Sequence, residues 1–293
     1  MMRIERMPEG GRQGSDPSEF RITCLVDNTA QLSSRFWAEH GLSFLVEARN
    51  AKVLFDTGQS GAVLAHNLAL LGEDLQDLSA IVLSHGHYDH TGGLAEALSL
   101  AKGVEVIAHP DVFRERFSRR DGELKSIGLP FPRPEIEARA RLRLEREAIE
   151  VVPGVMTTGQ IPRGFGPETR EPRHVVREEG KLVPDPFYDD QALVLRTERG
   201  LVVVLGCCHA GLINTLERVR SIFGGKIHAI LGGTHLARAD DACLTQAIAA
   251  VKDEYEVEQL YLGHCTGMRG FLAFAQALGE RVKPCPAGLR LEF

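Results

Sequence analysis

The chain has 293 residues, of which 43% are hydrophobic, so it can bury a sizeable core in one large domain or two small ones. Its formal net charge of −6 argues against a nucleic-acid partner, because nucleic-acid binders usually carry a basic excess. No apolar run approaches the roughly 20 residues that cross a bilayer, so no membrane partner is expected.

The first residues of the chain predict a flexible N-terminal tail over 1–19, which is polar, contains glycine and has no apolar segment of the kind found in secretion signals. The six cysteines form no CxxC pair and no regular framework. We therefore expect reduced thiols and a cytoplasmic location. No feature of the sequence predicts the oligomeric state.

Alternating and β-branched residues between turn signals predict strands early in the chain, and an apolar helical pattern ending at a glycine predicts the first helix. The predicted strands are 20–26, 42–48, 52–56, 80–84 and 104–110, and the predicted helices are Ala62–Leu71 and Gly92–Leu100.

Residues 118–190 are rich in Arg, Glu, Pro and Gly and predict a long excursion from a single domain over 20–293. The charged run 133–147 is typical of a solvated face, with contact to an anionic substrate as the lesser alternative.

Strands and helices alternate in the last third of the chain. The predicted strands are 191–197, 200–206, 226–233 and 258–264, and the predicted helices lie near 211–223, 241–251 and 268–278. Two strand-rich halves, each ending in helices, predict an α/β sandwich with sheets inside and helices outside.

The segment SHGHYDH, 84–90, places metal-binding side chains directly after a buried strand. His85 and His87 are two residues apart at the strand end, so they point the same way and can bind one metal. Asp89 and His90 lie beyond the turn and can face a second metal, with a hydroxide shared between two ions about 3.5–4 Å apart. So dense a group of metal ligands favours a metal site over a polar loop with incidental histidines.

Three further turns follow an apolar strand with glycine and then histidine: LGCCHAG (205–211), LGGTHL (231–236) and LGHCTG (262–267). Since α/β sheets collect active residues at strand ends, His209 and His264 are the expected distant ligands. His235 is a ligand, a substrate contact or an ordinary hydrogen-bonded histidine. Asp89 and His235 are the candidate catalytic residues.

Other residues have two interpretations each. Asp56, in FDTG, forms an ordinary turn or orients a metal-binding histidine. Asp190 is a bridging ligand, a supporting residue or part of a solvated turn. Cys207 and Cys208 directly precede His209, and either thiolate can bind zinc, although at least one of the pair is expected to pack as a small hydrophobic residue.

The order FDTG, SHGHYDHTGG and later histidine turns resembles the metallo-β-lactamase superfamily. The resemblance implies an αββα sandwich with a dinuclear hydrolase site, in which His85 and His87 bind one metal and Asp89 and His90 bind the other. It also implies that His264 matches the last histidine motif. GCCHAG stands where that family usually has a bridging Gly-Asp.

Further segments are similar to one branch of that superfamily, the dihydropterin–ribofuranosylaminobenzene-phosphate synthase-like proteins. The similarity runs from about Arg21 to about Gly267 and includes LVDN, EHGLSFLVE, TTGQIPR and GCCHAGLIN. It implies that His40, Arg163 and His235 lie in the substrate cleft.

These patterns predict a hydrolase with two divalent metal ions, in which a bridging hydroxide attacks a small, phosphorylated or pterin-like substrate. Zinc is favoured, with manganese or iron as alternatives, since His87 stands where the resemblance implies an acidic residue in diiron redox relatives. One alternative is a pterin-related synthase of the methanopterin-pathway type that uses the metals as Lewis acids. Another is an iron redox or ligand-sensing protein.

Overall fold

A computed structural model describes residues 20–164 and 172–293, so the predicted tail 1–19 lies outside the described residues. The first half of the chain forms strands β1 (Arg21–Val26), β2 (Ser43–Ala48), β3 (Ala51–Phe55), β4 (Leu78–Val82) and β5 (Glu105–Ala108), with helices α1 (Gly61–Leu71), α2 (Tyr88–Thr91) and α3 (Leu94–Leu100).

The middle of the chain forms β6 (Arg116–Arg120), β7 (Glu123–Ser126), α4 (Arg133–Glu137), β8 (Arg141–Leu144), β9 (Glu150–Val152), β10 (Val155–Thr157), β11 (His174–Glu178) and β12 (Lys181–Pro184). The last third forms β13 (Leu193–Thr197), β14 (Gly200–Leu205), α5 (Leu212–Phe223), β15 (Ile227–Gly232), α6 (Asp241–Ala249), β16 (Gln259–Leu262), α7 (Gly267–Leu278), β17 (Val282–Pro284) and β18 (Arg290–Glu292).

Two seven-stranded sheets pack face to face, with strand orders β18-β1-β2-β3-β4-β5-β8 and β17-β16-β15-β14-β13-β10-β9. A buried apolar layer that includes Phe44, Phe55, Val204 and Leu231 fills the space between them. Side chains of α1 and α3 cover the outer face of the first sheet, and those of α5, α6 and α7 cover the second. The predicted αββα sandwich is confirmed.

The strands that precede the histidine turns are parallel and buried. β4 lies between β3 and β5, and β15 lies between β14 and β16, with parallel pairing throughout. Strands buried on both faces are nearly continuous apolar runs, which explains sequences such as AIVL and VVVL. Their carboxyl ends collect the turns that carry His85, His209, His235 and His264 at one edge of the sandwich.

The segment predicted as an excursion, 118–190, is divided between two environments. β6, β7, β11 and β12 form a separate four-stranded sheet, order β12-β11-β6-β7, which we call the insertion sheet. In contrast, β8 pairs with β5, and β9 and β10 extend the second main sheet beside β13. The run 133–147 therefore contributes α4 and an edge strand of the sandwich. None of the helices in 20–164 and 172–293 is long and apolar enough to cross a membrane.

Candidate metal centre

Three imidazoles meet at what we call site 1. His85 and His87 come from the turn after β4, and His209 comes from the turn after β14. One nitrogen of each lies within 4.8 Å of the others, and all three side chains are buried. Buried Nε2 atoms of His85 and His87 and both ring nitrogens of His209 have no hydrogen-bond partner within the described residues. Buried polar atoms are nearly always satisfied, so this grouping points to a ligand shared among them.

A second group, site 2, combines Asp89, His90, Cys207 and His264. Nε2 of His90 lies 3.2 Å from both Cys207 Sγ and His264 Nε2, and Cys207 Sγ lies 3.2 Å from His264 Nε2. Asp89 Oδ2 lies 3.5 Å from His264 Nε2. Tetrahedral zinc ligands at about 2.0–2.3 Å from the ion are roughly 3.3–3.7 Å apart, so the donor atoms of site 2 have a spacing that suits this ion.

The two sites are neighbours. The ring centroids of His85, in site 1, and His90, in site 2, are 4.3 Å apart. Cys207 and His209 come from the same turn and enter different sites. The GCCHAG segment therefore contributes to both groups, with a thiol where the superfamily resemblance implied a bridging carboxylate.

Buried hydrogen bonds orient the site 2 histidines. Asp56 accepts from Nδ1 of His90 at 2.6 Å and from the hydroxyl and backbone N–H of Ser84 at 2.6 and 2.7 Å. His264 donates its backbone N–H to Asp27 at 2.7 Å, and its Nδ1 lies 2.9 Å from Asn28 Oδ1. A proton on each Nδ1 leaves Nε2 with its lone pair directed into the site, as metal-binding histidines require.

Two neighbouring aspartates hold the backbone of the turns that carry the site 1 histidines. Asp189 accepts from the N–H of Gly86, between His85 and His87, at 2.8 Å. Asp190 accepts from the N–H of Ala210 at 2.7 Å and lies in none of the ligand groups found among the described residues. Burial raises the pKa of Asp189 to about 7 and that of Asp190 to about 6. Of the alternatives for Asp190, the structure favours the supporting one.

Backbone strain is concentrated at the edge of the sandwich that carries the histidine turns. Asp56, Cys208, His235 and His264 adopt positive φ angles of 59°, 62°, 53° and 47°. Non-glycine residues rarely adopt this conformation, and such residues cluster at functional sites where the surrounding structure enforces it.

Burial keeps the site 1 imidazoles neutral, because it lowers the pKa of His85, His87 and His209 well below the ordinary value. It also lowers the pKa of His264 to about 4. For His90 burial acts in the same direction, but the carboxylates of Asp56 and Asp89 outweigh it and raise the pKa to about 9. Neutral imidazoles are the form that binds metals, so a metal ion at site 2 would displace the Nε2 proton of His90.

The remaining predicted residues surround these sites. Nε2 of the half-exposed His40 lies 3.2 Å from Asp89 Oδ2. His235 packs against His209, with ring centroids 4.2 Å apart, and lies with Cys207 and Cys265 in a third group of potential ligands. Arg163 donates to the backbone oxygen of His209 at 3.2 Å.

The two adjacent cysteines have different surroundings. Cys208 Sγ lies 3.3 Å from the hydroxyl of Thr215 within the apolar core under α5, whereas Cys207 belongs to site 2. The expectation that at least one of the pair packs as a hydrophobic residue fits Cys208.

Sequence reasoning missed His174, Cys265 and Asp27. His174 lies in the insertion sheet, with its ring 5.3 Å from that of His87, and no strand–Gly–His pattern marks it. Cys265 follows His264 directly and donates to the backbone oxygen of Cys207 at 3.3 Å. Asp27 follows β1 as Asp56 follows β3, so this shared pattern was the available signal.

A cavity of about 700 Å³ opens over both sites. Its floor includes His87, Asp89, Cys207 and His264, and its walls include His40 and His235. This volume lies within the range of small-molecule sites, about 300–1,000 Å³.

A family model described as the metallo-β-lactamase superfamily matches residues 37–199. Over 284 residues the chain is 31% identical to 7,8-dihydropterin-6-methyl-4-(β-D-ribofuranosyl)-aminobenzene-5′-phosphate synthase of Methanocaldococcus jannaschii, with 93% of this chain and 96% of the relative covered. An uncharacterised protein of the same organism is 32% identical over 264 residues, covering 87% of this chain and 94% of that protein.

Among solved structures, a metal-dependent hydrolase of the β-lactamase superfamily is 32% identical, with a TM-score of 0.77 and coverage of 94% of this chain and 99% of that one. Zinc-bound PqqB from Methylobacterium extorquens is 15% identical, with a TM-score of 0.56 and coverage of 93% and 100%, and shares the fold alone. The family model and the two relatives above 30% identity agree with the histidine motifs, and the chain belongs to the metallo-β-lactamase superfamily.

Proposed function

We propose that the chain is an enzyme that binds two divalent metal ions at sites 1 and 2 and hydrolyses a small-molecule substrate in the cavity above them. The observation that carries this proposal is the pair of adjacent donor groups, one of three histidines and one of Asp89, His90, Cys207 and His264. The nitrogen and sulfur donors favour zinc.

Ions bound there would lower the pKa of water from about 15.7 towards 7 and polarise a substrate oxygen. The protein's own residues complete the site around this chemistry. Asp89 faces site 2 and also accepts from His40, whose half-exposed ring lies on the cavity wall. His40 Nε2 can hold a proton between Asp89 and a substrate, and His235 contacts the substrate from the wall beside His209.

A pterin-related synthase reaction is the second candidate. The M. jannaschii synthase supports it, because the similarity to that protein extends over nearly the whole of both chains. The solved structure at 32% identity, described as a metal-dependent hydrolase, supports hydrolysis instead. In both reactions the same residues would hold the metals, and the two reactions would differ in the substrate that binds in the cavity.

Metal content and turnover test the shared part of the proposal. We expect His87→Ala and Asp89→Ala each to lose bound zinc and activity together. His66→Ala is the matched control, because that ring stacks on Trp37 outside the sites and its loss leaves both donor groups intact. Full activity of a metal-free Asp89→Ala protein would contradict the proposal.

Substrate trials separate the two reactions. The zinc-loaded protein is incubated with a pterin donor and ribofuranosylaminobenzene 5′-phosphate, and separately with a panel of phosphoesters, thioesters and lactones. Turnover of the panel alone removes the synthase candidate, and coupling without turnover of the panel removes the hydrolase. An iron chromophore in freshly prepared protein would instead favour the redox alternative.

A further inference from the structure

One face of the insertion sheet is directed into the cavity. Ser118 of β6 is paired directly with Lys125 of β7 on one side and with His174 of β11 on the other. Directly paired residues of antiparallel strands point to the same face, so these three side chains form a row across three strands. Arg120 lies two residues beyond Ser118 in β6 and therefore shares that face. All four residues line the cavity.

This face extends from the metal centre to the cavity mouth. At its inner end Arg116, in the same alternating series, is buried and binds Asp185 and Asp189 beneath the His85–His87 turn. At its outer end Arg120 is exposed and lies about 13 Å further along the strand, at roughly 3.3 Å per residue. The ammonium group of Lys125 lies 5.7 Å from the ring centroid of Tyr88, the residue between His87 and Asp89.

The charges at the mouth are mainly positive, although the chain as a whole carries −6. Among the described residues, Arg120, Lys125, Arg173 and Arg238 line the cavity, and the carboxylates that line it are Asp89, within site 2, and Asp240. Within the part of the chain that the structure describes, Arg120 and Lys125 form no ion pair. A concave site with an excess of one charge attracts ligands of the opposite charge.

We propose that Arg120 and Lys125 bind a phosphate-ester group that remains attached to the substrate while another part of the molecule reacts at sites 1 and 2. Guanidinium and ammonium groups together suit a dianion with several acceptor oxygens. Arg120 and Lys125 are exposed at the cavity mouth, whereas the donor groups of sites 1 and 2 are buried, so a phosphate bound by Arg120 and Lys125 is distinct from the group that reacts at the metals. The inference rests on the proposed function only in placing the reacting part of the substrate at the metals.

The test compares two probes that differ only in the phosphate. Ribose 5-phosphate and ribose are titrated calorimetrically into the zinc-loaded protein at one fixed ionic strength. We expect ribose 5-phosphate to bind the native protein, and ribose to bind at least about tenfold more weakly, as expected when a charge-assisted contact of 1.4 kcal/mol or more is lost.

Variants then locate the phosphate. The double variant Arg120→Ala with Lys125→Ala should weaken ribose 5-phosphate binding by about tenfold or more, whereas Lys125→Arg should retain most of it. Lys102→Ala is the matched control, because Lys102 is an exposed cation outside the cavity lining. Both substituted residues are exposed, so the double variant should unfold at nearly the native temperature.

Titration of the His87→Ala protein distinguishes the insertion sheet from the metals as the anion site. Binding that persists in His87→Ala and is lost in the double variant supports the proposal. Binding that is lost in His87→Ala and unchanged in the double variant places the phosphate on the metals and overturns it, as does failure of ribose 5-phosphate to bind the native protein. If the protein binds no metal, the proposed function is wrong. The ribose 5-phosphate titrations of the native protein and the double variant would still test the phosphate site.

Discussion

At the scale of single residues, Cys207 and Cys208 show how one position along the chain changes chemistry. Cys207 Sγ lies 3.2 Å from Nε2 of His90 and of His264, whereas Cys208 Sγ lies 3.3 Å from the hydroxyl of Thr215. The left-handed conformation of Cys208 directs the two thiols to different sides of the turn. The neighbouring thiols thus provide a matched pair for mutagenesis.

We predict that Cys207→Ser weakens metal binding at site 2 and removes the sulfur-to-metal charge-transfer absorption of the cobalt-substituted protein, because a hydroxyl is a poorer ligand than a thiolate. Cys208→Ser should retain both the absorption and the metal stoichiometry. Chelator competition and absorption spectra of the two variants measure this difference. Loss of the band in Cys208→Ser alone would reverse the assignment.

Asp56 accepts a hydrogen bond from His90, a proposed metal ligand of site 2. Asp56→Asn should weaken metal binding at site 2 by about 10–100-fold, the usual effect of removing the carboxylate behind a ligating histidine. The side-chain volume is preserved, so the change is mainly electrostatic. Zinc affinity is measured by chelator competition against Asp74→Asn, an exposed aspartate of a distant turn, which should bind zinc like the native protein.

At the scale of elements, the insertion sheet is attached by a buried ionic group to the turn after β4, which carries His85 and His87. Arg116 of β6 donates to Asp185 at 2.8 Å and to Asp189 at 2.6 Å, and all three side chains are fully buried. Asp189 in turn accepts from Gly86. A β-carbon on Gly86 would lie 2.2 Å from the backbone oxygen of Val112, which precedes β6, and 2.6 Å from Nη1 of Arg116, so the turn after β4 approaches this segment at a glycine that permits the close contact.

We predict that Arg116→Met lowers the free energy of unfolding by about 3–5 kcal/mol, because it leaves two buried carboxylates without their counterion. Arg177→Ala, which breaks the exposed pair between β11 and Glu115, should cost about 1 kcal/mol or less. Urea unfolding of the two variants tests the comparison. Equal, small effects would show that the buried group contributes little to stability.

At the scale of the whole molecule, the concentration of buried histidines determines the acid sensitivity of the metal-free protein. Burial lowers the pKa of His264 to about 4, and it lowers the pKa values of His85, His87 and His209 well below the ordinary value. In the unfolded chain these side chains take up protons near pH 6.5. Below that pH the unfolded state binds more protons, so the free energy of unfolding falls as the pH falls.

Two carboxyl groups oppose this loss of stability at low pH. Asp189 and Asp190, with pKa values raised to about 7 and about 6, are protonated in the folded state while the unfolded chain is ionised. Each proton difference changes the free energy of unfolding by about 1.4 kcal/mol per pH unit. The four histidines outweigh the two carboxyl groups, so stability should increase as the pH rises from about 4.5 to 6.5. Above this range His90, with a pKa of about 9, acts in the opposite direction.

The measurement is urea unfolding of the chelator-treated protein at several pH values. His264→Asn should reduce the slope of the free energy of unfolding against pH, because one of the neutral buried imidazoles is gone. A stability that decreases with pH over the same range would mean that the carboxyl groups dominate.

The sequence by itself determined the sandwich, its superfamily and most residues of the two candidate donor groups. Buried parallel strands leave continuous apolar runs, and the turns after them carry Gly-His, so SHGHYDH, GCCHAG and LGHCTG could be identified without coordinates. His85 and His87 were predictable as partners because two residues separate side chains on the same side of a strand end.

Only the tertiary structure decided which distant residues meet. It placed His209 with His85 and His87, separated Cys207 from Cys208, and brought His174 from the insertion sheet to the cavity. It also divided the segment 118–190 between the main sheets and the insertion sheet. The physical reason is that spacing along the chain sets the direction of side chains within one strand or turn, whereas contacts between turns depend on strand order and on the packing of two sheets.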